Sequence, residues 1–174
     1  KKEALKYRTK LIPIDSEHFS ISELTKLHKD NEIEKIYITA SGGPFLNLSK
    51  NKFKFVKPKD AIKHPKWKMG KKISVDSATL MNKVLELLEA FQLFNFNKKK
   101  YEIVIHPQSL VHAVVKLKNG TSYFLYHAPD MKIPISNALF DGKFNYLKYF
   151  KKSNINNISN HNLENYFVSM SDFN

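Results

Sequence analysis

One segment, residues 64–90, constrains the fold of this chain more than any other; it reads HPKWKMGKKISVDSATLMNKVLELLEA. Its second half predicts a helix, because apolar residues recur there every three or four positions, at Leu80, Val84, Leu87, Leu88 and Phe91. Asp76 or Ser77 can cap the first turn by accepting hydrogen bonds from free backbone N–H groups. The helix should end near Asn95 or Asn97.

The polar side of the same helix brings three functional groups together. Asn82 and Glu86 are four residues apart and Lys83 and Glu86 are three apart, so an amide, an ammonium and a carboxylate lie close together. Such a cluster is commonly only a solvated helix face. Here, however, the hydroxyls of Ser77 and Thr79 stand at the helix start, where unpaired N–H groups and the helix dipole favour an anion. The pattern indicates a phosphate near the helix start and a cation near Glu86.

The length of 174 residues is enough for one domain with its own core. No stretch has the apolar length of a membrane span, and the lysine-rich start lacks the apolar run of a signal peptide, so we expect a soluble, untargeted protein. The absence of cysteine excludes disulfides and thiolate metal sites. Any metal must be bound by carboxylates, histidines or carbonyls, which favours a hard cation such as magnesium or manganese.

The net charge of +13 raises the question of a nucleic-acid or membrane partner. The lysines are scattered through every segment, however, and few of the 29 basic residues are arginine. An AT-rich genome also produces frequent lysine, asparagine, isoleucine and phenylalanine without selection for a ligand. The charge therefore does not by itself predict nucleic-acid binding.

Near the amino terminus, two carboxylates follow a short apolar run. Residues 11–14, with the sequence LIPI, suit a buried strand. If the extended backbone continues, Asp15 and Glu17 point to the same side, because side chains alternate along a strand. Alternatively, Asp15 or Ser16 caps a helix that extends to Lys29. The residues alone leave both interpretations open.

A second strand is predicted at residues 33–39, followed by a turn with the sequence ASGGP at residues 40–44. Backbone amides in such a turn can approach a ligand closely, as in an anion-binding nest. Residues 50–63 are polar and suit a loop or a short helix.

Residues 64–72 combine His64, Trp67 and Met69 with a lysine-rich polar sequence. Large side chains in a mobile polar segment suit a lid that covers a bound substrate and excludes water. Alternatively, Trp67 belongs to the core.

The second half of the chain predicts a strand at residues 101–106 and a hairpin. Residues 110–117 and 121–126 flank an Asn-Gly pair, which is a strong hairpin signal. Residues 133–140 can form a helix.

We therefore expect an α+β fold: a small mixed sheet, covered on one face by helices, with a flexible active-site loop. The strands should lie near Leu11, Ile36, Ile103, Val111 and Phe124. Residues 1–142 would form the domain, and residues 143–174 an unassigned tail. His106 and His112 suit structural hydrogen bonding better than ligand binding.

Five motifs, in one order, resemble a known enzyme family. They read IPIDSEH, ASGGPF, HPKWKMGKKISVDSATLMNK, IHPQSLVHAVV and PDMKIPI, and the match extends over residues 11–138. They closely resemble 1-deoxy-D-xylulose 5-phosphate reductoisomerase. Because one motif alone is twenty residues long, the resemblance is far more specific than a lone glycine pattern.

The resemblance implies a metal site made of carboxylates. Asp15, Glu17 and Glu86 match the family's three ligands for magnesium or manganese. It implies catalytic roles for these three residues and for His64. In the family, the metal polarises the carbonyl and hydroxyl during a skeletal rearrangement, and hydride from NADPH reduces the resulting aldehyde to 2-C-methyl-D-erythritol 4-phosphate.

The resemblance also implies a sugar-phosphate site and a cofactor contact. The residues that match substrate-binding positions are Ser16, Glu17, Ser41, His64, Ser77, Asn82, Lys83 and Glu86. Gly70 and Met131 match positions beside the NADPH nicotinamide. His64 and Trp67 match the loop that closes over the substrate.

For the whole enzyme, the resemblance implies a homodimer formed through the sheet of this domain, and a step in non-mevalonate isoprenoid biosynthesis. It implies no nucleic-acid and no membrane partner. The expected location is the cytoplasm of a bacterium, or the stroma of an organelle if a transit peptide precedes the chain.

Several positions depart from the family pattern. Val84 and Leu46 stand where the family usually has glycine and a basic residue, and FSIS after His18 replaces the usual Ala-Ile-Phe run. No glycine-rich βαβ fingerprint precedes Asp15, and no counterpart of the family's C-terminal helical domain follows the asparagine-rich tail. We therefore expect the central catalytic portion of a longer enzyme, inactive by itself. The alternative is a basic nucleic-acid-binding module.

Overall fold

A computed structural model of the chain describes residues 1–63, 70–149 and 168–169. The α-helices in these ranges are α1 (Lys2–Lys6), α2 (Ser16–Thr25), α3 (Pro58–Ala61), α4 (Lys71–Ala78), α5 (Met81–Leu93), α6 (Lys132–Leu139) and α7 (Tyr146–Tyr149). The strands are β1 (Ile33–Ala40), β2 (Tyr101–Ile105), β3 (Val111–Leu117), β4 (Ser122–Tyr126) and β5 (Val168–Ser169). Short 3-10 helices lie at Lys50–Phe55 and Lys98–Lys100. None of the described helices is long and apolar enough to span a bilayer.

The strands form one mixed sheet in the order β4-β3-β1-β2-β5. β1 and β2 are parallel, with Ile38 beside Ile103, and the other neighbouring pairs are antiparallel. Helices α3, α4 and α5 lie in the long connection that a parallel pair requires. The predicted α+β class and mixed sheet are confirmed. The predicted mobile loop, with His64, Trp67 and Met69, lies outside the described residues.

The strand predicted at residues 11–14 is wrong. Leu11, Ile12 and Ile14 are about half exposed and belong to no strand. Pro13 has no N–H to donate to a ladder, and an apolar run alone does not determine whether a segment is buried. The fifth strand is instead β5, which pairs with β2 from within the unassigned tail.

One face of the sheet packs against α2 and α5. The core there consists of Ile21, Ile33, Ile36, Ile38, Ala90, Tyr101, Ala113, Val115 and Leu117. Ile36 pairs with Val115 and Ile38 pairs with Ala113 across β1 and β3, so alternate residues of both strands point to the helices. This packing holds the first turn of α2 beside the first half of α5.

The single helix predicted from residue 76 or 77 is in fact two helices. Leu80 lies between α4 and α5 in the left-handed region, at φ 59°. Asp76 and Ser77 lie inside α4 and cap nothing, and Asp76 accepts a hydrogen bond from Lys72 Nζ at 2.5 Å. Apolar spacing continues across the break, because one left-handed residue changes the direction of the chain without changing the composition. The end of α5, just before Asn95, is as predicted.

Two predicted turns are confirmed, and one of them positions the site. Gly120, at φ 90°, lies in the turn of the β3–β4 hairpin. After β1, Gly42 and Gly43 have φ angles of 83° and 69°. A Cβ atom at Gly43 would lie 2.7 Å from the backbone oxygen of Ser77, so this turn rests directly on α4. The contact brings Ser41 and Ser77 to the same cavity.

Candidate metal and phosphate site

Three carboxylates from two helices converge beside the end of β1. Asp15 precedes α2, Glu17 lies in the first turn of α2, and Glu86 lies in α5. One oxygen of each lies within 4.8 Å of the other two. Asp15 Oδ1 accepts hydrogen bonds from the backbone N–H groups of Glu17 at 3.1 Å and His18 at 3.2 Å. The helix-cap interpretation is therefore confirmed, although the helix ends at Thr25 and not at Lys29. The strand interpretation is wrong, yet the cap still brings the two carboxylates together.

The Lys83 ammonium lies between two of these carboxylates. It donates to Glu17 Oε1 at 2.7 Å and to Glu86 Oε2 at 2.6 Å, and its side chain is 7% exposed. The side chains of Glu17 and Glu86 are also largely buried. Buried charges are tolerated only when paired, so this arrangement needs all three groups. The Lys83 ammonium is the one that the helix spacing placed beside Glu86, whereas the further cation expected near Glu86 stays a prediction.

The remaining oxygens of these two glutamates also accept hydrogen bonds. Ser16 Oγ donates to Glu17 Oε2 at 2.5 Å, and Asn82 Nδ2 donates to Glu86 Oε1 at 2.5 Å. Every carboxylate oxygen of Glu17 and Glu86 therefore has a short contact with a donor. The polar cluster predicted on α5 is not a solvated helix face.

The three carboxyl groups differ in the direction in which their pKa values are shifted. Burial opposes ionisation of Glu17, but the adjacent Lys83 ammonium outweighs burial and lowers the pKa of Glu17 to about 2. Burial and the neighbouring Glu17 charge raise the pKa of Glu86 well above its usual value. Burial and Glu17 likewise raise the pKa of Asp15. Burial alone would lower the pKa of Lys83, but Glu17 and Glu86 raise it, so Lys83 stays charged.

Histidines surround the carboxylates. His18 Nε2 donates to the backbone oxygen of Glu86 at 2.8 Å, and its Nδ1 lies 3.3 Å from Asp15 Oδ1. His112 stacks on His127 with ring centroids 3.8 Å apart and donates from Nε2 to the His127 carbonyl at 3.1 Å. Burial and the neighbouring His127 lower the pKa of His112 to about 4, so this ring is neutral at pH 7. The predicted structural hydrogen bond of His112 is present, although the ring also borders the cavity.

A cavity next to the carboxylates collects most of the predicted substrate residues. Its lining includes Glu17, Ser41, Ser77, Asn82 and Lys83, together with Thr39, Ser109 and His112, which the sequence did not suggest as ligands. The Ser109 hydroxyl is buried and has no hydrogen-bond partner among the described residues. Its backbone has a positive φ of 55°. Only the IHPQSLVH motif could have indicated it, since a left-handed serine has no local sequence signature.

Neither of the two predicted cofactor residues lines this cavity. Gly70 is exposed at the start of α4, and Met131 is 36% exposed at the start of α6. The predicted contact of His64 lies outside the described residues. Two departures from the family pattern, Val84 and Leu46, do not line the cavity: Val84 is 43% exposed, and Leu46 packs where a side chain on Gly42 would lie.

Comparison with known proteins gives the family. Residues 11–94 match the model of the 1-deoxy-D-xylulose 5-phosphate reductoisomerase C-terminal domain. The 1-deoxy-D-xylulose 5-phosphate reductoisomerase of Pelagibacter ubique (strain HTCC1062) is 56% identical over 155 residues, which is 89% of this chain. The chain belongs to the 1-deoxy-D-xylulose 5-phosphate reductoisomerase family. The corresponding protein of Treponema denticola is 53% identical over 79% of this chain.

Solved structures of the family have the same fold. A DOX-P reductoisomerase in complex with NADPH, fosmidomycin and magnesium matches 97% of this chain with a TM-score of 0.84 and 35% identity. The enzyme from Zymomonas mobilis in complex with NADPH matches 78% of the chain with a TM-score of 0.70 and 43% identity. The chain covers 42% and 35% of those two chains, and 39% and 36% of the Pelagibacter and Treponema reductoisomerases. It therefore spans about two fifths of its relatives.

Proposed function

We propose that this chain is the central catalytic portion of a 1-deoxy-D-xylulose 5-phosphate reductoisomerase, in which it binds a divalent metal and the sugar phosphate. The observation that carries the proposal is the convergence of Asp15, Glu17 and Glu86 around a buried ammonium, beside a cavity lined by three serines. The whole enzyme would produce 2-C-methyl-D-erythritol 4-phosphate with NADPH, in isoprenoid biosynthesis by the non-mevalonate route.

The carboxylate cluster suits a hard divalent cation. Carboxylate oxygens are the ligands that magnesium and manganese prefer, and the three oxygens are already gathered within 4.8 Å. Lys83 already provides positive charge at this position. When bound, magnesium or manganese would polarise the carbonyl and hydroxyl oxygens of the substrate.

The cavity beside the cluster suits the phosphate of the substrate. The hydroxyls of Ser41 and Ser77 and the amide of Asn82 can each donate a hydrogen bond, and Lys83 adds a charge. Ser16 would contact the substrate from the carboxylate side. His64 would hold and cover the substrate, together with Trp67, as both match the closing loop of the family.

Gly70 and Met131 would contact the nicotinamide of NADPH. Both are exposed at helix starts, which leaves them accessible to a cofactor that approaches from outside the described fold. The structures of two relatives are complexes with NADPH, which supports NADPH as the cofactor.

A second copy of the chain is the proposed partner on the face of the sheet away from α2 and α5. Val114 pairs with both Tyr37 and Phe124 there, and Phe124 is 54% exposed.

A nucleic acid is not favoured, since several surface lysines are paired with acidic residues, as in the Lys116–Glu34 ion pair. The proposed location is the cytoplasm of a bacterium, or an organelle stroma.

The test is calorimetric binding of 1-deoxy-D-xylulose 5-phosphate to the 174-residue chain, with magnesium and with a chelator. Binding should require magnesium and should be lost in Asp15→Asn. Tight binding of DNA at physiological salt without metal, and none of the sugar phosphate, would instead support the nucleic-acid-binding alternative.

A further inference from the structure

Three side chains that the proposed function assigns to the substrate donate hydrogen bonds to the carboxylates that it assigns to the metal. Lys83 bridges Glu17 and Glu86, and Ser16 donates to the second oxygen of Glu17. Asn82 donates to the second oxygen of Glu86. The groups proposed to bind the substrate and the groups proposed to bind the metal are thus hydrogen-bonded to one another.

We propose that Lys83 is a resident counter-cation that a divalent metal displaces from Glu17 and Glu86, and that this displacement delivers its ammonium to the substrate phosphate. The inference rests on the proposed function and adds an order of events to it: metal binding prepares the phosphate site. It assigns Lys83 two alternative sets of partners.

Charge balance is the first reason for an exchange. Asp15, Glu17 and Glu86 carry up to three negative charges, and Lys83 compensates only one of them. A divalent cation compensates more charge with the same oxygens, so it competes directly with the ammonium for Glu17 and Glu86. Two cations a few ångströms apart repel each other, so the arriving metal drives Lys83 away.

The geometry provides a destination for the displaced ammonium. Lys83 also lines the cavity that contains the hydroxyls of Ser41 and Ser77. It lies in the first turn of α5, where the helix dipole favours an anion. The lysine stem has four rotatable bonds, so its ammonium can shift from the carboxylates to the cavity without movement of the helix.

The exchange predicts that metal and phosphate strengthen each other's binding. Without metal, a phosphate must draw Lys83 away from two buried carboxylates and leave them uncompensated. With metal, the carboxylates are already compensated and Lys83 is available. Coupling of binding is reciprocal, so phosphate must also raise the affinity for the metal.

The first experiment is a calorimetric titration of Mn²⁺ into the 174-residue chain and into Lys83→Met, with Lys72→Met as the matched control. Removal of the competing ammonium should tighten Mn²⁺ binding by about tenfold or more in Lys83→Met and leave Lys72→Met unchanged. Inorganic phosphate should raise the Mn²⁺ affinity of the wild type more than that of Lys83→Met. Equal or weaker Mn²⁺ binding in Lys83→Met would mean that Lys83 only positions the carboxylates, and would overturn the proposal.

A second measurement needs no change at the site and remains informative if Lys83→Met fails to fold. The ¹⁵Nζ resonances of the lysine ammonium groups are followed in the wild type as magnesium and then inorganic phosphate are added. The resonance of the buried Lys83 should shift with magnesium and again with phosphate, while that of Lys72 stays in place. If magnesium binds and the Lys83 resonance does not move, the exchange is disproved.

The same data separate this inference from the proposed function. If the wild type binds Mn²⁺ and loses it in Glu86→Gln, but Lys83 neither competes nor moves, the metal site stands and only the exchange is wrong. If the wild type binds no Mn²⁺ at all, both proposals fall.

Discussion

Two lysines that lie eleven positions apart in the sequence make ion pairs of almost the same length in very different environments. Lys72 donates to Asp76 at 2.5 Å within α4, and its side chain is 83% exposed. Lys83 donates to Glu17 and Glu86 at 2.7 and 2.6 Å, and its side chain is 7% exposed. Water screens the first pair, so its contribution to stability is small. The second lies where charges are poorly solvated, so its partners shift the pKa values of the whole cluster.

The difference shows that burial, and not contact distance, distinguishes the ion pair of the proposed site from an ordinary surface pair. The Lys72–Asp76 pair joins two residues of one helix and needs nothing else. The Lys83 cluster joins α2 to α5 and exists only because both helices pack on the same face of the sheet.

The largest effect is expected for the proposed metal ligands. Glu86→Gln should weaken Mn²⁺ binding by more than about a hundredfold, because changes to groups that merely support metal ligands already cost 10- to 100-fold. Glu89→Gln, one turn along α5 and 60% exposed, should have little effect. Calorimetric titration of both variants checks this. Equal losses in the two variants would contradict the assignment of Glu86.

The next effect is the pH dependence of stability that arises from Glu17. Its pKa is lowered from 4.5 to about 2, so it stabilises the fold above pH 4.5, and this contribution disappears as the pH falls from 4.5 towards 2. The raised pKa values of Asp15 and Glu86 act in the opposite sense. The stability that these two carboxyl groups contribute to the fold is lost as the pH rises above their usual pKa values. In a chelator, Glu17→Gln should therefore lower the free energy of unfolding by about 2 to 3 kcal/mol at pH 7, and by almost nothing near pH 2.

Denaturant unfolding of the wild type and Glu17→Gln between pH 2 and 7 measures this difference. Lys72→Met serves as the control, because its difference from the wild type should stay small throughout. A Glu17→Gln difference that grows towards acid pH would contradict the lowered pKa.

A smaller effect is expected at the turn that follows β1 and contacts α4. Gly43→Ala requires a positive φ and places a Cβ atom 2.7 Å from the Ser77 oxygen, so it should destabilise the fold by about 2 kcal/mol and separate Ser41 from Ser77. Gly120→Ala also requires a positive φ but meets open space. Both variants should lower the melting temperature, but only Gly43→Ala should weaken phosphate binding. Loss of phosphate binding in Gly120→Ala would contradict a local role for the turn.

The smallest effect is expected for the exposed pair itself. Lys72→Met should change the free energy of unfolding by less than about 0.5 kcal/mol, and that difference should shrink further at high salt. Denaturant unfolding at low and high salt measures it. A change as large as that of Glu17→Gln would mean that contact distance matters more than burial here.

Local patterns in the sequence were enough for much of the fold. Strand alternation predicted β1, the Asn-Gly pair predicted the β3–β4 hairpin, and apolar spacing located α5. Each of these patterns reports the conformation and the buried side of one short segment, which is why it can be read without the rest of the chain. The motifs also grouped Asp15, Glu17 and Glu86 as one proposed ligand set. The family resemblance implies which residues distant in sequence lie close together in the fold, and periodicity does not.

Only the tertiary structure decided that residues 11–14 are mostly exposed, that the helix breaks at Leu80, and which partners Lys83 has. An apolar run does not specify whether another element will cover it, and a left-handed leucine leaves no trace in the apolar spacing. The sequence placed Lys83 next to Glu86 on one helix face but could not show that Glu17, 66 positions away, completes the bridge. Whether a charged side chain is solvated or buried depends on what packs over it, and that is a property of the assembled helices and sheet.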